Sequence, residues 1–150
     1  MPHQIDKSAL VMHSAERMFA LVNDIARYPE FLPWCSAAEV HKAASDEITA
    51  SLEIARSGIR HRLTTRNQLE APTRIHMSLV DGPFQNLRGR WTFQPLDETA
   101  CKVVLSLEFE FSGSLSRMTF GTVFKQAANT MVDAFCRRAD DVYRAQGALP

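Results

Sequence analysis

The stretch Arg117-Met-Thr-Phe-Gly-Thr-Val-Phe-Lys-Gln-Ala-Ala-Asn-Thr-Met-Val-Asp-Ala-Phe135 repeats its apolar side chains every three or four residues. Phe120, Phe124, Ala127, Met131 and Phe135 form the repeat, and Val142 continues it one step of seven further on. That recurrence is the dry stripe of an amphipathic helix, and the spacing predicts one helix over about residues 117–145. Arg117, Lys125, Arg137, Arg138, Asp140 and Asp141 fall away from most of the stripe. Gly113-Ser114-Leu-Ser116 reads as the turn and cap before it. At the α-helical rise such a helix is roughly 40 Å long, enough to cross an entire sheet. A stripe of that length needs an equally long apolar surface to lie on.

The residues upstream supply that surface. Val103, Leu105, Leu107, Phe109 and Phe111 alternate with Val104, Ser106, Glu108 and Glu110. Leu87, Gly89, Trp91 and Phe93 alternate with Arg88, Arg90, Thr92 and Gln94. Ile75, Met77 and Leu79 form another run. Ile59, His61, Leu63 and Thr65 oppose Arg60, Arg62, Thr64 and Arg66, while Ile48, Ala50, Leu52 and Ile54 oppose Glu47, Thr49, Ser51 and Glu53. A period of two with one dry face marks half-buried strands. Ser57-Gly58, Ala71-Pro72, Asp81-Gly82-Pro83 and the polar break at Pro95–Thr99 separate them. Nearer the N-terminus, Gln4–Met12 reads as a strand and Ser14 as a helix N-cap, with Arg17 where a capping box would place Glu. Met18, Phe19, Leu21, Val22 and Ile25 follow at helical spacing, and Pro29 and Pro33 end that helix. The expected architecture is α+β: one domain over residues 1–150, a curved antiparallel sheet wrapped around a long C-terminal helix. A sheet curled on one helix leaves an apolar gap, and ligand pockets run to about 300–1,000 Å³. Scaled from a benzene-sized cavity of about 150 Å³, that is room for about 12–40 carbons.

Charge and motifs narrow the function by exclusion. Seventeen basic residues balance seventeen acidic ones, so no overall field draws the chain to nucleic acid or anionic lipid. Cys35, Cys101 and Cys136 are odd in number and lack Cys-x-x-Cys spacing, which suits free thiols in a reducing compartment. The N-terminus has no signal-peptide pattern and no apolar run reaches membrane-span length, so the expected location is cytoplasmic, with at most peripheral contact at the inner membrane. No metal-ligand pair sits at helical spacing, the spacing of Gly82 and Gly89 is not that of a phosphate loop, and Gly-x-Ser-x-Gly is absent. The expectation is a binding protein rather than an enzyme, with no metal and no cofactor beyond a bound ligand.

Three segments carry a specific resemblance. They are Met18-Phe-Ala-Leu-Val-Asn-Asp-Ile-Ala-Arg-Tyr-Pro-Glu-Phe-Leu-Pro-Trp-Cys35, Val80-Asp-Gly-Pro-Phe-Gln-Asn-Leu-Arg-Gly-Arg-Trp-Thr-Phe93 and Leu107-Glu-Phe-Glu-Phe111. Together, in this order, they resemble the coenzyme Q-binding, START-like family of the polyketide cyclase superfamily, which also contains the bacterial ribosome association toxin. The resemblance covers nearly the whole chain. It implies a helix-grip (START/Bet v 1-like) fold, a hydrophobic cavity and two competing functions. The leading one is binding of an isoprenoid quinone or similar lipid, as carrier or chaperone in respiratory electron transport. The other is binding to the large ribosomal subunit to block subunit association.

Each function has candidate residues. Tyr28, Phe31, Leu32 and Trp34 form a rigid apolar loop at an expected pocket entrance, with Phe84 beside it. Leu87, Trp91, Phe93, Leu107 and Phe109, facing Phe124, Ala128 and Met131, are the expected cavity lining, with small residues in the helix leaving room. His61, Thr65 and Asn67 are polar points on the dry face, and His61 suits a quinone carbonyl. Arg60, Arg62, Arg66, Arg88 and Arg90, joined by Arg74, make the one basic patch available to ribosomal RNA phosphates or anionic lipid. Glu47, Glu53, Glu108 and Glu110 share that face and can pair with it across strands.

Overall fold

The computed structural model describes residues 2–147. Strand β1 (His3–Val11) leads into helix α1 (Ala15–Asn23) and a 3-10 segment (Ile25–Glu30). Strands β2 (Cys35–Ala43), β3 (Glu47–Arg56), β4 (Ile59–Glu70), β5 (Arg74–Asp81), β6 (Phe84–Asp97) and β7 (Ala100–Phe111) follow, and helix α2 (Ser114–Gly147) closes the order. The strands form one seven-stranded sheet in the order β1-β7-β6-β5-β4-β3-β2. Every pairing is antiparallel. β2 to β7 make a simple meander; β1 and β2 become the two edges, joined by α1 and the 3-10 segment.

Local chemistry accounts for the punctuation. Ser14 caps α1 by accepting from the Arg17 amide at 3.1 Å. The apolar face of α1 then buries Ala15, Met18, Phe19 and Val22. The β3–β4 hairpin turns in two residues, Ser57 at φ 55 and Gly58 at φ 80. Two positive φ values match the twist of the flanking strands, as in a type I′ turn. Pro29 falls inside the 3-10 segment, where continuation as an α-helix is blocked.

Along β7 the inward residues Cys101, Val103, Leu105, Leu107, Phe109 and Phe111 are all buried. They meet the α2 stripe, of which Phe120, Phe124, Ala127 and Phe135 are buried. The structure differs from the sequence reading in several places: α1 ends at Asn23, so Ile25 opens the 3-10 segment, and β6 runs through Pro95 to Asp97 where the sequence reads as a break. Helix α2 begins at Ser114, so Ser114, Leu115 and Ser116 belong to its first turn rather than to a loop. Strand β2 is not marked by alternation, because register shifts at Cys35/Ala37 and Val40/Lys42 disrupt its period. It is also an edge strand with most of its side chains exposed, so burial imposes no pattern on it.

Candidate functional site

Where α2 crosses the concave face, helix and sheet enclose a cavity of about 70 Å³. β3 contributes Ala50, Leu52 and Ile54; β4 contributes Leu63, Thr65 and Asn67. Phe124, Ala127, Ala128 and Met131 of α2 form the roof, and Tyr28 and Trp34 stand at its rim. The cavity is under half the size of one that holds benzene, about 150 Å³. The expected room for 12–40 carbons is therefore absent from this cavity. Tyr28 and Met131 both line the gap between sheet and helix, and the Tyr28 hydroxyl is fixed by donating to the Val22 carbonyl oxygen. Burial pushes the Tyr28 phenol well above its ordinary range, so it stays a neutral donor.

Three other polar side chains, Thr65, Asn67 and Trp34, stand in this apolar wall. The Thr65 hydroxyl donates to Asn67 Oδ1 at 3.0 Å. That leaves the Asn67 amide NH₂ without a side-chain partner among the described residues, although Asn67 is only 6% exposed. Trp34 is 3% exposed, and its indole Nε1 is buried with no hydrogen-bond partner. Both are donors, so the wall can serve a ligand that brings an acceptor oxygen.

Seven of the candidate lining residues converge here: Tyr28, Trp34, Leu87, Leu107, Phe124, Ala128 and Met131. The others lie elsewhere, each for a packing reason. Trp91 stacks on Phe93 at 6.1 Å and meets Phe135 edge-on at 5.4 Å, so Trp91 and Phe93 are solid core. Phe109 packs against Phe124 at 4.8 Å, and Phe84 joins the same cluster at 4.8 Å from Phe124. Leu32 is buried beside the cavity without lining it. Phe31 faces the other way, under the Arg138 guanidinium at 4.8 Å. His61 packs at a tilt against Phe120, ring centres 4.7 Å apart, and does not line the cavity. The donors there are Asn67, on the polar face already singled out, and Trp34. The lining from β3 was missed as a site, although its inward parity was legible.

On the flank of the helix lies a larger groove of about 540 Å³. The Phe31–Trp34 loop forms one wall, Arg56 one end, and residues of α2 between Val123 and Asp141 the other wall. Trp34 and Ala127 line both groove and cavity, so they form the partition between them.

The outer face of the sheet carries the arginines. Arg60 lies 3.6 Å from Glu53, Arg62 3.6 Å from Glu39, and Arg88 donates to Glu108 at 2.8 Å. Cross-strand pairing thus occupies three of them. Arg66, Arg74 and Arg90 have no ion pair among the described residues. Register places Arg66 opposite Ser78, Ser78 opposite Arg88, and His76 opposite Arg90. A shallow depression of about 390 Å³ lies over these rungs, edged by Gln4, His76, Arg88, Arg90, Ser106 and Glu108.

The cysteine thiols are free. Burial pushes Cys35, Cys101 and Cys136 up to about 11 each, which leaves little thiolate at neutral pH. Among the described residues no three His, Cys, Asp or Glu side chains group as a metal site. No described helix is long and apolar enough to cross a membrane.

Comparison with known proteins places this geometry. Residues 11–136 match the family model described as polyketide cyclase / dehydrase and lipid transport. The ribosome association toxin RatA of Vibrio cholerae is 54% identical over 93% of this chain and 97% of its own length. A mitochondrial coenzyme Q-binding protein of Drosophila melanogaster is 26% identical over 86% of this chain and 55% of its own length. In three dimensions the Zhui aromatase/cyclase from Streptomyces superposes with a TM-score of 0.86 at 16% identity, covering 98% of this chain and 99% of that one. That likeness establishes the helix-grip, START-like fold, a curved sheet on a long C-terminal helix. The chain belongs to the polyketide cyclase / dehydrase and lipid transport family, among relatives that bear the name ribosome association toxin.

Proposed function

We propose that the chain is a ribosome-directed regulator that acts by binding rather than by catalysis, engaging the large subunit and hindering its association with the small one. The observation that carries this reading is identity spread over full length: 54% across 93% of this chain and 97% of a relative named for ribosome association. The quinone-binding relative reaches only 26%. The cavity of about 70 Å³ also speaks against a quinone carrier as first choice. The order of the two functions suggested by the sequence is thereby reversed.

The docking surface in this reading is the outer sheet face, where Arg66, Arg74 and Arg90 have no carboxylate partner among the described residues. Arginines on adjacent rungs can each take a phosphate of an RNA backbone. Three such contacts give a salt slope of about −2 to −3 and weaken binding by about 20–40-fold between 50 and 200 mM salt. Sucrose-gradient sedimentation with purified subunits tests it. The wild type should co-migrate with large subunits at low salt, and Arg66→Glu/Arg90→Glu should stay at the top of the gradient while keeping its thermal midpoint. A double variant that sediments like wild type would remove this face from the proposal.

A second reading, binding of a small quinone-like ligand, is favoured by one observation: the unsatisfied indole donor of Trp34, with Asn67 beside it, at an apolar cavity. It requires the sheet and helix to part, since the closed cavity takes no ring.

A further inference from the structure

The flank groove combines features that the cavity lacks, and they point to a different occupant. Its volume is about 540 Å³, against about 70 Å³ inside. Its floor is apolar (Phe31, Pro33, Val123 and Ala127), while Arg56, Arg137 and Arg138 stand around it with Asp141 as the one acid. Arg138 is committed: Nη2 donates to Glu30 at 2.9 Å and the guanidinium lies over the Phe31 ring. Arg56 and Arg137 have no ion pair among the described residues.

A second observation is independent of charge. Trp34, 3% exposed, lines the groove with an indole N–H that no acceptor meets, and Arg138 Nε is likewise buried without a partner. Two unsatisfied buried donors and two unpaired cations around one apolar trough ask for an acceptor-rich anion attached to a hydrocarbon.

We propose that this groove binds a single-chain anionic amphiphile of the long-chain fatty acid class. The carboxylate is held by Arg56 and Arg137, and the chain lies along α2 over Val123 and Ala127. Size agrees. At about 25 Å³ per carbon, scaled from a benzene-sized cavity, the groove holds about 20 heavy atoms, which is a chain of sixteen to eighteen carbons with its head. The binding differs from cavity occupancy in that the head is charged and the chain stays outside the sheet-helix gap. Because Trp34 and Ala127 are the shared partition, an occupied groove presses on the cavity wall and braces the Phe31–Trp34 loop. The inference does not depend on the ribosome reading.

The test is calorimetric titration of the full chain with palmitate below its micellar concentration, beside hexadecanol and acetate. Palmitate should bind near one per chain. Hexadecanol should bind at least about tenfold more weakly, for want of the charge-assisted hydrogen bonds, and acetate not at all. Arg56→Gln/Arg137→Gln should lose about tenfold for palmitate and nothing for hexadecanol, with an unchanged circular dichroism spectrum. Thr130→Trp, at an exposed groove position, should block both. Equal affinity for palmitate and hexadecanol, full palmitate affinity in the double glutamine variant, or no palmitate binding to wild type would each overturn the proposal. None of these outcomes bears on ribosome sedimentation, so the two readings fail separately.

Discussion

Gly89 shows how one missing side chain shapes the site. It sits mid-strand in β6, opposite Met77 on one side and Leu107 on the other. A Cβ there would lie 2.7 Å from Met77 Cε, 2.9 Å from Leu107 Cδ1 and 3.2 Å from the Ser106 carbonyl oxygen. Two of those atoms are ends of flexible side chains, and both side chains line the cavity. Gly89→Ala should therefore cost about 1–2 kcal/mol from overpacking, less a few tenths recovered from the unfolded chain. Urea unfolding should show that loss, and it should shrink in a Met77→Ala background, where the nearest obstacle is gone. A neutral Gly89→Ala would mean that Met77 and Leu107 retreat freely and that the cavity is softer than its packing implies. The sequence placed Gly89 only on the inward side of its strand's alternation. Which atoms crowd it depends on register between strands, and no single strand carries that information.

At the scale of elements, legibility followed burial. Strands β3 to β7 have one dry face each, and their alternation placed them, their turns and the parity of their side chains. The long helix announced itself by its stripe. β2 escaped because an exposed, bulged edge strand has no side to bury. Among the candidate site residues the same distinction holds. Which residues point inward was readable, yet Trp91, Phe93 and Phe109 are core while Leu107 and Met131 reach the cavity. That division depends on where helix and sheet diverge, which is set by side-chain volumes across the interface. One tie between distant elements was equally hidden. His13 Nε2 lies 2.7 Å from Asp140 Oδ1, joining the β1–α1 junction to α2 across the sequence. This hydrogen bond holds the Asp140 carboxyl below its ordinary value of 3.8. A carboxyl lowered by folding contributes stability above the unfolded value and loses it as pH falls through the lower folded one. Asp140 is 46% exposed, so the effect is small. Thermal midpoints of Asp140→Asn should lie slightly below wild type at pH 6, and the two curves should converge as pH falls below the ordinary carboxyl value of 3.8. A constant gap down to pH 2 would show that the carboxylate is not what ties the elements together.

The whole molecule poses one physical question: whether the sheet-helix gap is a ligand site that happens to be closed or a core that happens to be imperfect. Its closure rests on few side chains. Met131 reaches in from α2, and truncating it to Ala removes three heavy atoms, or about 75 Å³ at the same benzene-scaled 25 Å³ per atom. Added to the existing 70 Å³, that makes a cavity of about 145 Å³, the size that accepts benzene. Met131 is half-buried, so Met131→Ala should cost about 1–2 kcal/mol, less than truncation of a fully buried Met. It should also create a site that wild type lacks: benzene or phenol should raise the thermal midpoint of the variant and leave wild type unmoved. Phenol should do better than benzene, because its oxygen can accept from the Asn67 amide in the same wall. If wild type is stabilised just as strongly by phenol, the helix must lift from the sheet without help. The cavity then becomes a working site whose volume varies with occupancy, and a quinone ring returns as a credible occupant. If only the variant responds, the gap is core, the surfaces outside it carry the function, and the arginines of the outer sheet and of the flank groove are where partners are met.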